Sequence, residues 1–576
     1  MQRMNINSNF IIKDIEQHFR VSAGPGAGKT YWLIGHIRNL LHCSGRLSKT
    51  RSIVCLTYSN VGVETIKRRL GTSAQQVEVS TIHSFLYRHI VRPYVWSISH
   101  EYDLNVKLMD GHDEVGNYKF HDWIKKDYRS LKYLSDNKKY AIKCLEKQEW
   151  VLVENELKRQ IVIRDDKDKA CEKFLRNNKH EKYLKYKKLY WNDGVVSHDD
   201  VLFFSYQIIK KHPFVLDVLR AKFPYFLVDE FQDTSPIQIE ILNQLGQQET
   251  IVGIIGDTAQ SIYGFQGASA ELFAEFSLPK IQDYVIADNR RSTNQIIDLL
   301  GHIRTDIKQN KYKNVDNEKP ILYQGARKKV IAKIKEEVTN EELAILSFKN
   351  EVVRTIEKDY EGTDKKLFNE LKNEDSNGDR KRLIEACIKA TELANKKKFK
   401  DAIQEFIRLE RRNELKKRRK DKNENSIEDS LKLEWRKKAL SNISFLLLNY
   451  EKISQVTITD FSNNFISPCI KKISKITPRG EKNVHKRLIK YFFNCVIIND
   501  DSGLYRTIHK SKGDEFKNVL LVLEDEKELE FIKKPDLKKE EHRVRYVAVS
   551  RAEKRLFIYV PECEDFSNDY LLMKRG

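Results

Sequence analysis

Val21-Ser22-Ala23-Gly24-Pro25-Gly26-Ala27-Gly28-Lys29-Thr30 sets three glycines ahead of a lysine and a hydroxyl. Residue types in that order suit a polyphosphate. Backbone N–H groups of a tight glycine turn point at an anion, and the helix that follows offers its positive dipole end. Gly24, Gly26, Ala27 and Gly28 form the turn, Lys29 reaches the terminal phosphates, and the Thr30 hydroxyl is placed for Mg²⁺. Far downstream, Phe226-Leu227-Val228 is a short apolar run that ends in Asp229-Glu230. Such a run reads as a buried strand, and ligands collect at the carboxyl ends of strands in open α/β sheets. Asp229 is then a second metal ligand. Glu230 is placed to orient or deprotonate an attacking water. ATP with Mg²⁺ is the expected nucleotide and cofactor pair.

The elements that must hold these residues are legible in outline. Tyr31–Ile37 continues from the turn as an apolar helix, and Leu343–Leu346 reads as a second buried strand. Lys182-Tyr183-Leu184-Lys185-Tyr186-Lys187-Lys188-Leu189-Tyr190-Trp191 has helical spacing. Its interleaved bases and aromatics suit either a strand-tracking surface or an amphipathic helix that buries its Tyr/Leu face. Lys416-Lys417-Arg418-Arg419-Lys420 is a basic run in a solvated helix or loop.

Further blocks follow in a fixed order. They are Thr57-Tyr58-Ser59-Asn60, Thr81-Ile82-His83-Ser84-Phe85, Gly256-Asp257-Thr258-Ala259-Gln260-Ser261-Ile262-Tyr263 and Asn289-Arg290-Arg291-Ser292. After them come Thr507-Ile508-His509-Lys510-Ser511-Lys512-Gly513-Asp514-Glu515-Phe516 and Tyr546-Val547-Ala548-Val549-Ser550-Arg551-Ala552. With the glycine turn and Asp229-Glu230-Phe231-Gln232-Asp233, this series resembles the UvrD/Rep/PcrA-like branch of superfamily-1 DNA helicases over nearly the whole chain. The resemblance implies an α/β fold of two RecA-like parallel-sheet motor domains, each interrupted by a mostly α-helical insertion. The expected boundaries are 1–98 and 201–284 for the first motor around an insertion at 99–200. The second motor is expected at 285–350 and 499–576 around a basic helical insertion at 351–498.

The resemblance also implies roles. Gln260 senses the γ-phosphate. Arg291 and Arg551 act as arginine fingers, worth roughly 10³–10⁵ in rate. Glu515 contacts the ribose. Tyr58, Tyr263 and Phe265 stack on bases, while Asn60, Thr81 and His83 hold phosphates of a single-stranded or tailed DNA. Movement runs 3′ to 5′ along the strand. The chain departs from the family pattern in four places. Ala23 stands where the loop usually begins with glycine. Phe10 stands near the place of an adenine-reading glutamine. Arg290 replaces an aromatic that stacks on the base, a task a guanidinium can also perform. Gln266 follows Phe265 where an arginine is usual.

A finer likeness is carried by Phe10-Ile11-Ile12-Lys13-Asp14 and Ile90-Val91-Arg92-Pro93-Tyr94. These segments are similar to the helicase-like subunits of Gabija-type anti-phage systems. That likeness implies a nuclease subunit as partner in a hetero-oligomer. Two activities stay open: a DNA helicase or translocase, and a DNA-activated ATPase switch that signals DNA ends to a nuclease with little unwinding. A nucleic-acid binder with a relic motor fits less well, because Lys29, Asp229, Glu230, Gln260, Arg291 and Arg551 are all present.

Composition agrees with a polyanion partner. The 576 residues carry 104 Lys+Arg against 83 Asp+Glu, a net charge of +21. An excess of that size favours nucleic acid. The eight cysteines form no C-x-x-C pair and read as buried small hydrophobes in a reducing compartment. Neither a secretory leader nor a membrane-length apolar run is present, so a cytoplasmic location without membrane attachment is expected.

Overall fold

The N-terminal half contributes seven strands to one sheet, and three of the inner ones are buried on both faces, as a parallel sheet covered on both sides requires. The seven are β1 (Met4–Ile6), β2 (Phe19–Ala23), β3 (Ile53–Thr57), β4 (Val77–Thr81), β5 (Tyr225–Val228), β6 (Ile251–Gly256) and β7 (Gln282–Ile286). They form one parallel sheet in the order β1-β7-β2-β6-β5-β3-β4. Side chains alternate between two cores. Cys55, Leu227 and Ile255 point into one with Val21, Trp32, Leu33 and Ile37. Val54, Leu56, Phe226, Val228, Val252 and Ile254 point into the other with Phe85 and Phe204. Each fully buried side chain of this size contributes about 1.5–3 kcal/mol.

The structure is a computed structural model that describes residues 3–575 except 110, 113–116, 118, 127, 155, 165, 176–179, 265–269, 340, 362–365, 422–428, 494, 497–503 and 563–571. A second sheet is built from β8 (Ile321–Gln324), β9 (Leu343–Ser347), β10 (Tyr505–Thr507), β11 (Phe516–Val522), β12 (Ala552–Val560) and β13 (Met573–Arg575). Its order is β10-β9-β11-β12-β8-β13, and the β9–β11, β11–β12, β12–β8 and β8–β13 pairings are parallel. The chain is therefore an α/β protein with two large parallel sheets. Both lie in one compact unit, Met1–Lys349 with Arg506–Gly576; the other unit is Asn350–Tyr505.

Between β4 and β5 the chain forms helices and one antiparallel hairpin, Gln148–Val153 with Glu156–Ile161. The Lys182–Trp191 run lies in the helix His180–Trp191. Its Tyr183, Tyr186, Tyr190 and Trp191 are buried, packed with Trp123, Leu145 and Phe203 in the neighbouring cores. Lys187 is buried too and pairs with Asp200 at 2.8 Å. These aromatics are core residues, so the strand-tracking alternative for this run fails. Asn350–Tyr505 is helical around its own core of Ile384, Ile388, Phe406, Phe461 and Phe492. The basic run Lys416–Lys420 lies in its helix Phe399–Asp421. Among the described residues no helix is long and apolar enough to cross a membrane, and no group of three or more His, Cys, Asp or Glu is arranged to hold a metal ion.

Candidate nucleotide site and nucleic-acid interface

β2 ends at Ala23, and the glycine turn leads into α1, Lys29–Cys43. Gly26 and Gly28 take φ of 68° and 82°, left-handed values that an L side chain resists. A Cβ at Gly26 would also meet Asn289 Oδ1 and the Arg291 Cβ at 2.8 Å. The segment after β7 therefore lies directly on the turn. The Arg290 N–H donates to the Gly26 carbonyl at 2.8 Å, and Gln309 Nε2 donates to the Pro25 carbonyl at 2.8 Å. Ser292 Oγ donates to the Ala552 carbonyl at 2.7 Å. One short segment thus ties the turn to the start of β12.

Beside it, β5 delivers the acidic pair. The Asp229 N–H donates to the Leu56 carbonyl at 2.8 Å, which holds β5 in line with β3. Glu230 then turns into the left-handed region at φ 55°. That conformation is uncommon for a non-glycine residue and is found where a side chain must be aimed. Burial, with the neighbouring Glu230 charge, raises the Asp229 pKa to about 7. Burial also opposes charge on Glu230, but Lys29, Lys512, Gln232 and Arg551 together outweigh it and hold Glu230 below its ordinary value. The two carboxyls are therefore pushed apart: Glu230 is held ionised, while at Asp229 burial and the Glu230 charge outweigh Lys29.

Gln260, just past β6, joins the two sheets. Its Nε2 donates to Asp257 at 2.7 Å, and its Oε1 accepts from Arg551 at 2.8 Å. Burial, reinforced by Arg291, lowers the Arg551 pKa to about 10. Arg291 donates to the Ser550 carbonyl at 2.8 Å and pairs with Glu515. Glu515, expected to meet a ribose, here neutralises Arg291. That partner outweighs burial and keeps its pKa low.

The residues also fit the nucleotide and metal they imply. Arg291 Nε, Arg290 Nε and one Arg290 terminal nitrogen are buried without hydrogen-bond partners. Such orphaned donors cost free energy until an acceptor arrives, and an anion in the glycine turn would supply one. Burial disfavours the charge on Asp229, a penalty that a bound cation would offset. Thr30, in the first turn of α1, is half-buried.

Two participants were not assigned from sequence. Lys512 pairs with Asp233 and donates to the Gln260 carbonyl at 2.6 Å. Burial raises the Asp233 pKa to about 7 despite that partner. Arg304 binds Asp257 at 2.6 Å, with both side chains almost fully buried. Lys512 lies in a recognised block with two lysines, but nothing in the block tells which one crosses to the other sheet.

The expected DNA-contacting residues form a separate set. Tyr58 and Tyr263 stack at 4.6 Å with 26° between planes. The Lys512 ammonium lies 5.0 Å from the Tyr263 ring, and the Tyr263 hydroxyl donates to the His509 carbonyl at 3.3 Å. Asn60 is exposed at the first turn of the helix Asn60–Leu70. Thr81 caps the helix Ile82–Leu86, donating to Ser84 Oγ at 2.9 Å and accepting from its N–H. His83 lies 5.7 Å from the His198 ring. Burial, with His198 nearby, lowers its pKa to about 4, so it is neutral at physiological pH. Phe265 lies outside the described residues.

Residues 4–280 match the family described as the UvrD/REP helicase N-terminal domain. The chain is similar to the Gabija protein GajB of Bacillus cereus (strain HuB5-5), 25% identical over 680 aligned positions that cover 99% of this chain and 96% of that protein. It is also similar to the ATP-dependent DNA helicase PcrA of Staphylococcus aureus (strain NCTC 8325 / PS 47), 24% identical over 380 positions covering 62% of this chain and 50% of that protein. PcrA of Staphylococcus epidermidis is 25% identical over 309 positions, covering 53% of this chain and 40% of that protein. The match thus spans half or less of each PcrA.

Proposed function

We propose, for a chain whose residues 4–280 match the UvrD/REP helicase N-terminal domain, an ATP-driven motor that moves 3′ to 5′ along single-stranded or tailed DNA, acting in anti-phage defence. One contact carries the reading. Gln260 after β6 accepts from Arg551 before β12 at 2.8 Å, so an ordinary uncharged side chain links the two sheets beside the acidic pair. A γ-phosphate between them would compete for both.

In this reading the glycine turn and Lys29 bind the triphosphate, and Thr30 with Asp229 hold Mg²⁺. When bound, the metal would supply neutralisation of phosphate charge. Glu230, kept ionised by Lys29, Lys512, Gln232 and Arg551, accepts a proton from the attacking water. Arg551 and Arg291 donate to the transferring phosphoryl group, which requires Arg291 to give up part of its Glu515 pairing. After cleavage both let go of the phosphoryl group, and the Gln260–Arg551 link between the sheets re-forms. The Tyr58–Tyr263 stack lies where that movement would shift a base, since Tyr263 also touches His509 from the second half. Stacking of this kind tolerates any sequence.

Polarity and a nuclease partner are carried by resemblance alone, the second through the likeness to GajB over 99% of the chain. ATP turnover with and without single-stranded DNA, followed by unwinding of a 3′-tailed duplex, tests the proposal. DNA-stimulated turnover with strand separation is expected. Turnover with no DNA stimulation would refute a motor, and stimulation without strand separation would move the function to a DNA-activated ATPase switch.

A further inference from the structure

Two residues given no role from sequence decide which end of the Gln260 side chain faces Arg551. A glutamine amide has a donor end and an acceptor end of nearly the same shape, and its neighbours settle which way it points. Gln260 is buried between two groups that leave one choice. Arg551 can only donate, and it meets Gln260 Oε1 at 2.8 Å. Asp257 accepts from Gln260 Nε2 at 2.7 Å. Reversed, the amide would set its oxygen against a carboxylate and its N–H against a guanidinium.

Asp257 is itself immobilised. Its Oδ1 accepts from the Ala259 N–H at 3.1 Å and from Arg304 at 2.6 Å. Its own N–H donates to Gln232 Oε1 at 2.9 Å, and the other end of the Gln232 amide donates to Glu230. One aspartate therefore stands behind both Glu230 and Gln260. Arg304 reaches it from just after the helix Asn294–Ile303, outside every helicase-like block. The same guanidinium donates to the exposed Asp306 at 2.6 and 3.1 Å. Burial opposes the charge on Arg304, but Asp257, with Asp306, outweighs it. A buried ion pair adds little net stability over apolar side chains of the same volume. What this one adds is a carboxylate fixed in place.

Resting on the nucleotide reading above, we infer that Arg304 and Asp257 are positioning residues for the hydrolysis step, which lock the Gln260 amide with its carbonyl toward Arg551. A carbonyl so presented can accept from Arg551 or from a water O–H, and it cannot donate to a phosphate oxygen. When a γ-phosphate draws the Arg551 donors to itself, the carbonyl is left for the attacking water. Gln260 thus registers the phosphate through Arg551. In Asp257→Asn the new carboxamide can donate to Gln260, so the amide is free to turn over, and donor then meets donor at Arg551.

The test is a double-mutant cycle on ATP turnover by the full chain with single-stranded DNA present. Asp257→Asn keeps the shape of its side chain, and Arg304→Met keeps much of the length. Each should lower kcat on the order of 10²-fold, the cost of a misplaced catalytic group, with ATP affinity by calorimetry held within about threefold. Made in a Gln260→Ala chain, neither should lower kcat further. A loss in that background as large as in the wild type means that the pair only holds the fold, and overturns the inference. A wild-type kcat in Asp257→Asn overturns it too. Removing one partner of a buried pair is strongly destabilising, so each variant's melting temperature is read; should Arg304→Met fail to fold, Asp257→Asn carries the cycle. If the wild-type chain itself does not turn over ATP, the nucleotide reading is what fails.

Discussion

The candidate nucleotide cleft and the Tyr58–Tyr263 face are built on opposite electrostatic plans. In the cleft, charges are buried and only partly answered. Asp229 and Asp233 have pKa values raised to about 7, and Arg290 and Arg291 have buried nitrogens without partners. On the other face the groups are already satisfied. Thr81 caps a helix, His83 is neutral against His198, and Tyr58 and Tyr263 stack on each other. The first region gains by taking up a charged ligand. The second must exchange existing partners for a new one, so binding there is weaker and more easily coupled to movement.

The largest effect should come from the contact between the sheets. Arg551→Ala should lower kcat by roughly 10³–10⁵ if it contacts the transferring phosphoryl group, with ATP affinity changed far less. A loss under tenfold in a steady-state assay would make Arg551 a structural residue. Glu230→Gln keeps shape and removes the base, and should cost about 10²–10⁴ in kcat while Mg²⁺-dependent ATP binding survives. If both binding and turnover vanish together, Glu230 is holding the site rather than reacting in it.

Asp229 sharpens the comparison through pH. Its folded pKa of about 7 exceeds an unfolded value of about 3.9. The folded state therefore binds the extra proton between those values, and this group makes the ligand-free protein more stable as pH falls through 7 and less stable as pH rises. Asp229→Asn should raise the melting temperature at pH 8, and that gain should fade toward pH 5. A gain independent of pH would show that the carboxyl is not desolvated. In the wild type, ATP affinity measured with Mg²⁺ should drop as pH falls below about 7, when Asp229 takes up its proton.

Smaller effects belong to the satisfied face. Tyr263→Ala should weaken single-stranded DNA by about 1–3 kcal/mol in a fluorescence anisotropy titration, with basal ATP turnover nearly intact. Thr81→Ala should mainly remove a helix cap, costing about 0.5–2 kcal/mol of stability. If it weakens DNA as much as Tyr263→Ala does, its hydroxyl faces the strand after all.

The glycine turn was legible because its chemistry is local: three glycines, a lysine and a hydroxyl determine the turn wherever the strand before it lies. The buried strands were nearly as clear, and the expected runs Phe226–Val228 and Leu343–Leu346 lie within Tyr225–Val228 and Leu343–Ser347. Lys182–Trp191 was ambiguous, because a helix of alternating lysine and tyrosine has the same pattern whether its rings face a core or a polymer. Only Trp123, Leu145 and Phe203, brought in from other segments, settle that the rings are buried. The partner of Glu515 was hidden for a similar reason: Arg291 lies 224 residues away.

What the amino-acid order determined by itself was everything set by short-range sterics and spacing: the glycine turn, the apolar strands, the acidic pair at a strand end, and the sequence of blocks. The folded chain alone decided which charges meet. Lys512 reaching Asp233, Arg551 reaching Gln260 and Arg291 reaching Glu515 are contacts between segments remote in the chain. Their energies depend on burial and distance, and neither exists until the two sheets have packed.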